Sequence, residues 1–215
     1  MKNPRPGRLI TLEGGDGTGK TTHLAFLEGY LRDKGISTVT TREPGGTGLS
    51  EALRDLLLQG QHECSAETEM LILFAARTHN LSNIIRPAIS AGKWVICDRF
   101  TDATFAYQGG GGGLSFERIK QLENFVHKDI QPDLTILLDL PVEKGLARTA
   151  KRGAGLDRFE KQDLPFKQRV REAYLTRQAN EPCRIRLVDA SGSIEAVQED
   201  IRTHINAFVQ KVGIP

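Results

Sequence analysis

Cysteine is scarce in this 215-residue chain, and its three copies, Cys64, Cys97 and Cys183, lie far apart without a CxxC pair. An odd number of separated thiols argues against a disulfide framework and against a structural zinc site. The five histidines also show no HExxH pattern or comparable ligand spacing. We therefore expect reduced thiols in a cytoplasmic protein.

Long hydrophobic runs are missing as well. No apolar segment approaches the roughly 20 residues that a membrane-spanning helix needs, and the basic start, MKNPRPGR, has no signal-peptide pattern after it. Lys and Arg outnumber Asp and Glu by only 29 to 27, so no global positive field favours nucleic acid. We expect one soluble domain over residues 1–215 that is not exported and binds neither membranes nor nucleic acid.

Five short segments rich in Val, Ile and Leu have the character of buried strands: RLITLE, STVTT, KWVICD, LTILLDL and RIRLVDA. Helical patterns separate them, at about 20–34, 49–59, 66–91, 115–129, 142–151, 163–179 and 193–211. This alternation predicts an α/β fold with a five-stranded parallel sheet between helical layers. Ser65 and Ser115 are expected N-caps, and the five glycines at 109–113 are expected to form a flexible loop.

The segment EGGDGTGKTT contains the pattern GxxxxGK[ST], completed by Gly14, Gly19, Lys20 and Thr21. It lies between a predicted strand and a predicted helix, which is the context of a phosphate-binding P-loop. Backbone N–H groups and the helix N-terminus bind phosphate there, the lysine reaches the outer phosphates, and the threonine hydroxyl ligates Mg²⁺. A GTPase switch, a motor, a partition ATPase and a small-molecule kinase all use such a loop. The absence of an NKxD motif disfavours the regulatory GTPase.

Two further features indicate a second site. Asp98 and Arg99 follow the third predicted strand, where an acid can hold the water shell of Mg²⁺ and an arginine can bind phosphate; a structural salt bridge is the alternative. Arg77 lies inside the apolar helical pattern EMLILFAARTHNL and needs a buried partner. Phe74, three residues earlier, would place a ring beside it to receive a flat base, although core packing explains Phe74 equally well.

Six segments, in order, resemble the motifs of bacterial thymidylate kinases: EGGDGTGKTT, TREPGGT, FAAR, DRFTDATFAYQGG, PDLTILLDLP and LDRFE. The resemblance covers nearly the whole chain. It implies the three-layer P-loop NTPase fold, a homodimer, and transfer of the γ-phosphoryl group of ATP, with Mg²⁺, to dTMP to give dTDP. It implies a metal site at Thr21 and Asp98. The implied ATP-binding residues are Gly14, Gly15, Asp16, Gly17, Thr18, Gly19, Lys20 and Thr21.

The resemblance also implies which residues contact the sugar and the phosphate of the acceptor nucleotide. Asp16 matches the carboxylate that accepts a hydrogen bond from the deoxyribose 3′-hydroxyl, and Tyr107 matches the tyrosine that crowds a ribose 2′-hydroxyl. Arg54 and Arg99 match arginines on the acceptor phosphate. Glu43 belongs to the REPGGT loop of the same substrate site.

For the base, Arg77 matches the arginine that binds a thymine carbonyl, and Thr104 and Gln108 match positions that face the ring. Phe74 is the candidate for the aromatic side chain that stacks on thymine. Many family members carry that aromatic residue four positions before the arginine, where this chain has Leu73.

An arginine is also expected to stabilise the transferred phosphoryl group, beside the catalytic Lys20 and Arg99. Some family members place it in the P-loop, where this chain has Gly17, so the chain resembles the type that uses lid arginines. The stretch LARTAKRGAGLDRFEKQ is predicted to form a mobile lid at about 148–160. Arg148 or Arg152 is expected to reach the phosphates and Arg158 to position the lid. A basic helix end that complements the helix dipole is the alternative.

Two other functions fit part of the pattern. Another nucleotide or deoxynucleoside kinase would share the P-loop, but FAAR together with AYQ favours a thymidylate kinase. A P-loop switch protein would bind nucleotide, but it has no use for arginines directed at a second phosphate.

Overall fold

A computed structural model of the protein describes residues 6–59, 64–151, 155 and 157–213. Parallel strands form a five-stranded sheet in the order β2-β3-β1-β4-β5. They are β1 (Leu9–Gly14), β2 (Thr38–Arg42), β3 (Trp94–Asp98), β4 (Leu134–Asp139) and β5 (Ile185–Asp189). The predicted five-stranded parallel sheet is confirmed, with its strands at the five apolar segments.

The helices follow the predicted ranges closely, except that no helix was predicted at 101–104. They are α1 (Lys20–Asp33), α2 (Gly48–Leu58), α3 (Ala66–Asn80), α4 (Arg86–Ser90), α5 (Thr101–Thr104), α6 (Phe116–His127), α7 (Val142–Lys151), α8 (Leu164–Asn180) and α9 (Ile194–Lys211). A π-helical turn at Leu81–Ile85 joins α3 to α4, so the predicted helix 66–91 is one run with a local change of pitch. Ser65 and Ser115 cap α3 and α6 as predicted.

Both faces of the sheet are covered, because its strands are apolar on both sides. One core cluster joins the sheet to α1 and α9 and includes Leu12, Leu27 and Ile201. A second cluster joins the other face of β3, at Val95, to the π-helical turn at Ile85. The predicted three-layer α/β/α architecture is therefore confirmed. Among the described helices, none has the length and apolar composition that crossing a membrane requires.

The register of β1 determines where the functional loops meet. β1 lies between β3 and β4, with Leu12 opposite Asp98 and Gly14 opposite Leu138. Parallel strands end at the same edge of a sheet, which is where ligands bind in open α/β folds. The glycine-rich loop after β1 therefore lies beside the segment that begins with Asp98 and Arg99.

The glycine run at 109–113 differs from the expected flexible loop. A π-helical segment at Phe105–Gly111 continues α5, and its Gly110 and Gly111 pack tightly against α8. A Cβ on Gly110 would lie 2.5 Å from the Cβ of Ala173, and one on Gly111 would lie 2.5 Å from the ring of Phe166. The prediction of a loop was wrong for 109–111, because the small residues there permit close helix packing.

Gly145 of α7 makes a similarly close approach to the loop after β1. A Cβ at Gly145 would lie 2.5 Å from the carbonyl oxygen of Asp16, and a Cβ at Gly17 would lie 2.4 Å from that of Gly145. Both obstacles are backbone atoms, so they move only if the loop or the helix moves. The absence of a side chain at Gly145 therefore sets how closely α7 supports the loop.

We expect Gly145→Ala to destabilise the protein by about 1–3 kcal/mol, because the added methyl group forces the loop and α7 apart. The matched control is Gly29→Ala in α1, where an added Cβ lies 3.8 Å from the end of the flexible Arg32 side chain. That change should stabilise by about 0.5–1 kcal/mol through helix propensity. Urea unfolding measures both effects, and equal stability of the two variants would contradict the contact described.

Candidate active site

The loop between β1 and α1 has the backbone that phosphate binding requires. Gly14, Gly17 and Gly19 have positive φ angles of 139°, 72° and 85°, which glycine adopts without steric penalty. Gly19 directly precedes α1, so the free N–H groups and the positive end of that helix lie at the loop. Thr21 is exposed in the first helical turn. Together these features form an anion-binding site.

The side chain of Lys20 folds back over this loop. Its Nζ donates to the carbonyl oxygens of Gly14 at 3.2 Å and Gly15 at 2.8 Å. Burial, followed by the positive charge of Arg99, lowers the pKa of Lys20 to about 8. A phosphate at the loop would supply the negative charge that stabilises this ammonium group.

Arg99 connects the P-loop with the segment after β3. In the described parts of the chain it is the one residue other than glycine with a positive φ, 65°, and such conformations concentrate at functional sites. Its guanidinium donates to the Gly14 carbonyl at 2.9 Å and to the hydroxyls of Tyr107 and Tyr174 at 3.1 Å each. The neighbouring Asp98 has a buried Oδ1 without a hydrogen-bond partner among the described residues, as expected of a group that awaits a ligand.

Asp16 is held in a fixed orientation by three side chains. Lys167 Nζ, from α8, donates to its Oδ2 at 2.9 Å, and the Tyr107 hydroxyl donates to its Oδ1 at 3.2 Å. The guanidinium of Arg99 lies 3.7 Å from Oδ1. Burial raises the pKa of Asp16, but the charges of Arg99, Lys167 and Lys20 outweigh it and keep that pKa below its usual value. The carboxylate is therefore ionised at neutral pH.

Arg77 of α3 is 2% exposed and has the partners that a buried charge needs. Its Nε donates to Glu43 at 2.6 Å and its Nη2 to the hydroxyl of Thr104 at 3.1 Å. The rings of Phe74 and Phe100 lie 4.6 Å and 5.2 Å from its Cζ. The pKa of Glu43 is raised above its usual value by burial, and the charge of Arg77 only partly opposes this shift. Nη1 of Arg77 is buried without a partner among the described residues, so it is placed to bind a ligand.

Phe74 lies behind this arginine. It is buried, packs on Arg77 and stacks on His127 with the ring centroids 6.3 Å apart. Leu73 is the neighbour that lines the open cavity next to Arg77. The stacking of Phe74 on a base therefore stays a prediction, and Leu73 occupies the position from which a side chain reaches the cavity.

An open cavity of about 580 Å³ brings the other acceptor residues together. Apolar walls come from Leu73, Phe100 and Phe159. The residues assigned to the acceptor that line it are Asp16, Glu43, Arg54, Arg77, Arg99, Thr104, Tyr107 and Gln108. One P-loop residue, Asp16, therefore lines this cavity together with Arg99, so the P-loop and the second site adjoin at these two residues.

Two of the three lid arginines lie in the described part of the chain. Arg148, near the end of α7, donates to the carbonyl of Ala190 at 2.9 Å and to that of Gly17 at 3.4 Å. Arg158 forms an ion pair with Glu69 at 2.6 Å and donates to the Cys64 carbonyl at 3.1 Å. Arg152 lies outside the described residues.

Comparison with known proteins identifies the same family. A family model described as thymidylate kinase matches residues 12–201. A thymidylate kinase of Pseudomonas putida is 56% identical over 206 residues, which cover 95% of this chain and 98% of the relative. One of Chromohalobacter salexigens is 52% identical, with 93% and 95% covered. The chain belongs to the thymidylate kinase family.

The crystal structure of a family member supports the fold as well. The thymidylate kinase from Ehrlichia chaffeensis is 32% identical, has a TM-score of 0.76, and the match covers 93% of this chain and 100% of that one. Membership of the thymidylate kinase family confirms the predicted enzyme class, a kinase with nucleotide substrates.

The sequence did not indicate three polar side chains of this thymidylate kinase site. Lys167 and Tyr174 lie on α8, far along the chain from the P-loop, and contact Asp16 and Arg99. Glu13 is the last residue of β1 before Gly14, and it accepts hydrogen bonds from the Phe100 backbone at 2.6 Å and the Tyr174 hydroxyl at 2.8 Å. Of these three residues, only Glu13 could have been noticed in the sequence, because it is a charged residue inside an apolar strand.

His127 packs behind Phe100, one of the apolar side chains that line the open cavity. It is fully buried against Phe74 and Phe100, and its Nε2 lies 2.7 Å from the hydroxyl of Thr101. Burial, with a further effect from the charge of Arg77, lowers the pKa of His127 from 6.5 to about 4. The ring is therefore neutral in the folded protein at physiological pH.

Since the unfolded chain binds a proton at His127 before the folded chain does, the stabilisation linked to its lowered pKa is present above about pH 6.5 and lost towards about pH 4. We expect His127→Asn to cost more stability at about pH 7.5 than at about pH 5, by about 1–2 kcal/mol. Urea unfolding of wild type and variant at both pH values measures this difference. Other titrating groups affect both proteins equally, so an unchanged difference would contradict the lowered pKa.

Proposed function

We propose that this protein transfers the γ-phosphoryl group of ATP to the 5′-phosphate of dTMP, with Mg²⁺, and releases ADP and dTDP. A phosphate oxygen of dTMP forms the new bond to the γ-phosphorus while the bond to the β-phosphate oxygen breaks. One observation carries the proposal: Arg99 donates to the Gly14 carbonyl in the P-loop and also lines the acceptor cavity. The two phosphates therefore meet around one guanidinium group.

The donor phosphates bind the loop from Gly14 to Thr21. Its glycine backbone and the N-terminus of α1 supply N–H groups, and Lys20 supplies the positive charge. Asp98 and Thr21 would hold Mg²⁺, and Oδ1 of Asp98, which has no hydrogen-bond partner among the described residues, suits such an ion. The ion would neutralise charge on the phosphate oxygens.

The acceptor binds the cavity beside this loop. Arg54, which donates to the Pro44 carbonyl at 2.9 Å, and Arg99 bind its phosphate. Asp16 accepts a hydrogen bond from the 3′-hydroxyl, and Tyr107, next to Asp16, excludes a 2′-hydroxyl. Nη1 of Arg77 donates to a thymine carbonyl.

The lid arginines complete the site. Arg148 already contacts the P-loop at the Gly17 carbonyl, which supports a role on the transferred phosphoryl group. Arg158 is bound to α3 through Glu69, which supports a role in positioning the lid. Arg152 lies between them in sequence and is the other candidate for the phosphates.

Two further features belong to this proposal: a cytoplasmic location and a homodimer. Exposed apolar side chains support the homodimer, since Phe125 of α6 is 87% exposed and Leu71 of α3 is 57% exposed. Large apolar groups on a surface often mark an interface.

The substrate is tested by comparing nucleoside monophosphates in a coupled ADP-release assay with ATP and Mg²⁺. We expect kcat/KM for dTMP to exceed that for dCMP and dGMP by about 100-fold or more, because mismatched bases leave buried polar groups unpaired. The ribonucleotide of thymine should also be slow, since its 2′-hydroxyl meets Tyr107. Phosphorylation of dCMP or dGMP as fast as dTMP would refute the assignment.

The lid is tested by Arg148→Ala, Arg152→Ala and Arg158→Ala. We expect kcat to fall by about 10³-fold in Arg148→Ala or Arg152→Ala, the scale of a phosphate-binding catalytic arginine. Arg158→Ala should act more weakly, since that side chain is bound to Glu69. Single-turnover rates separate this loss from product release, and unchanged rates in all three variants would exclude lid arginines from the reaction.

A further inference from the structure

Lys167 is a buried cation to which the proposed function assigns no role. It lies in the first turn of α8 and is 8% exposed. Its Nζ donates to Oδ2 of Asp16 at 2.9 Å and to the carbonyl oxygen of Phe159 at 3.0 Å. A buried ammonium group is retained only with such partners, so its position is well determined.

The two acceptors of Lys167 come from distant segments that both line the acceptor cavity. Asp16 belongs to the P-loop, and Phe159 belongs to the turn at the end of the predicted lid, here called the lid turn. That turn has its own internal support, because the Asp157 carboxylate accepts from the backbone N–H groups of Phe159 at 2.8 Å and Glu160 at 2.9 Å. The ring of Phe159 also contacts Tyr107 edge to face, at 5.6 Å between centroids.

The orientation of the Asp16 carboxylate depends on Lys167 in particular. Tyr107 donates to Oδ1, and Arg99 lies nearest the same oxygen, at 3.7 Å. The hydrogen bond that the described residues make to Oδ2 comes from Lys167. Without that ammonium group the carboxylate is free to turn about its remaining contacts, both at Oδ1, and the lid turn loses this link to the P-loop.

We propose that Lys167 is a positioning residue for the acceptor nucleotide, which joins the P-loop carboxylate of Asp16 to the lid turn at Phe159 and so makes them one wall of the acceptor cavity. This inference rests on the proposed function. It adds a residue of α8 to the recognition of the acceptor, and it couples the shape of the acceptor site to the position of the lid turn.

The test compares Lys167→Met, Lys167→Arg and the control Lys128→Met, which removes the charge of an exposed lysine after α6. We expect Lys167→Met to raise KM for dTMP by about 10- to 100-fold, the size of a lost hydrogen bond to a charged group. KM for ATP should change about threefold or less, because the loop amides and Lys20 remain. Lys167→Arg should recover part of the loss, and Lys128→Met should match wild type.

A double-mutant cycle with Asp16→Asn separates positioning from a general effect on folding. If Lys167 acts through Asp16, Lys167→Met should raise KM for dTMP far less in the Asp16→Asn background than in wild type. Circular dichroism at the assay temperature confirms that each variant is folded. Independent effects in the cycle, or equal increases of KM for dTMP and ATP, would overturn the inference. A wild-type protein that does not phosphorylate dTMP would instead refute the proposed function.

Discussion

The guanidinium group of Arg99 is the contact on which the rest of the site depends. It reaches the Gly14 carbonyl because β1 and β3 are neighbours in register and because its own backbone has a positive φ of 65°. Glu13 stabilises this conformation through both of its carboxylate oxygens. One carboxylate oxygen accepts the N–H of Phe100, the next residue, and the other accepts the hydroxyl of Tyr174, to which Arg99 also donates. A strained residue persists where its surroundings determine it in this way.

The charges around Arg99 favour anionic substrates. Lys20, Arg99 and Lys167 bring three cations to the junction of the two sites, against the carboxylates of Asp16 and Asp98. Burial, together with the charge of Asp102, raises the pKa of Glu13 above its usual range, so this third acid contributes less negative charge near neutral pH. The chain as a whole has a net charge of only +2. The attraction for phosphate is therefore local, and it arises from the arrangement of buried groups.

The sequence predicted those parts of the fold and site that follow from local patterns. Apolar runs predicted the five strands, and the spacing of Gly14, Gly19 and Lys20 predicted the P-loop. A charged residue within an apolar helical pattern indicated that Arg77 is functional. Lys167 could not be found in this way, because a lysine near the start of a helix is usually exposed and only the packing of α8 on the P-loop buries it. Gly110 and Gly111 were misjudged for the same reason, since their close neighbours come from the distant helix α8.

The proposed preference for thymine follows from which buried polar atoms of the cavity are left unpaired. Nη1 of Arg77 is a donor, and Oε1 of Gln108 is an acceptor; both are buried without partners among the described residues, and both side chains line the cavity. In the proposed complex, a thymine carbonyl oxygen accepts a hydrogen bond from Nη1 of Arg77, and the adjacent ring N–H donates one to Oε1 of Gln108. Cytosine offers an amino group and an unprotonated ring nitrogen along the same edge, so it would leave both protein atoms unsatisfied. Each unpaired buried group costs about 1–3 kcal/mol, and two such costs are enough for strong discrimination without any steric exclusion of the smaller pyrimidine.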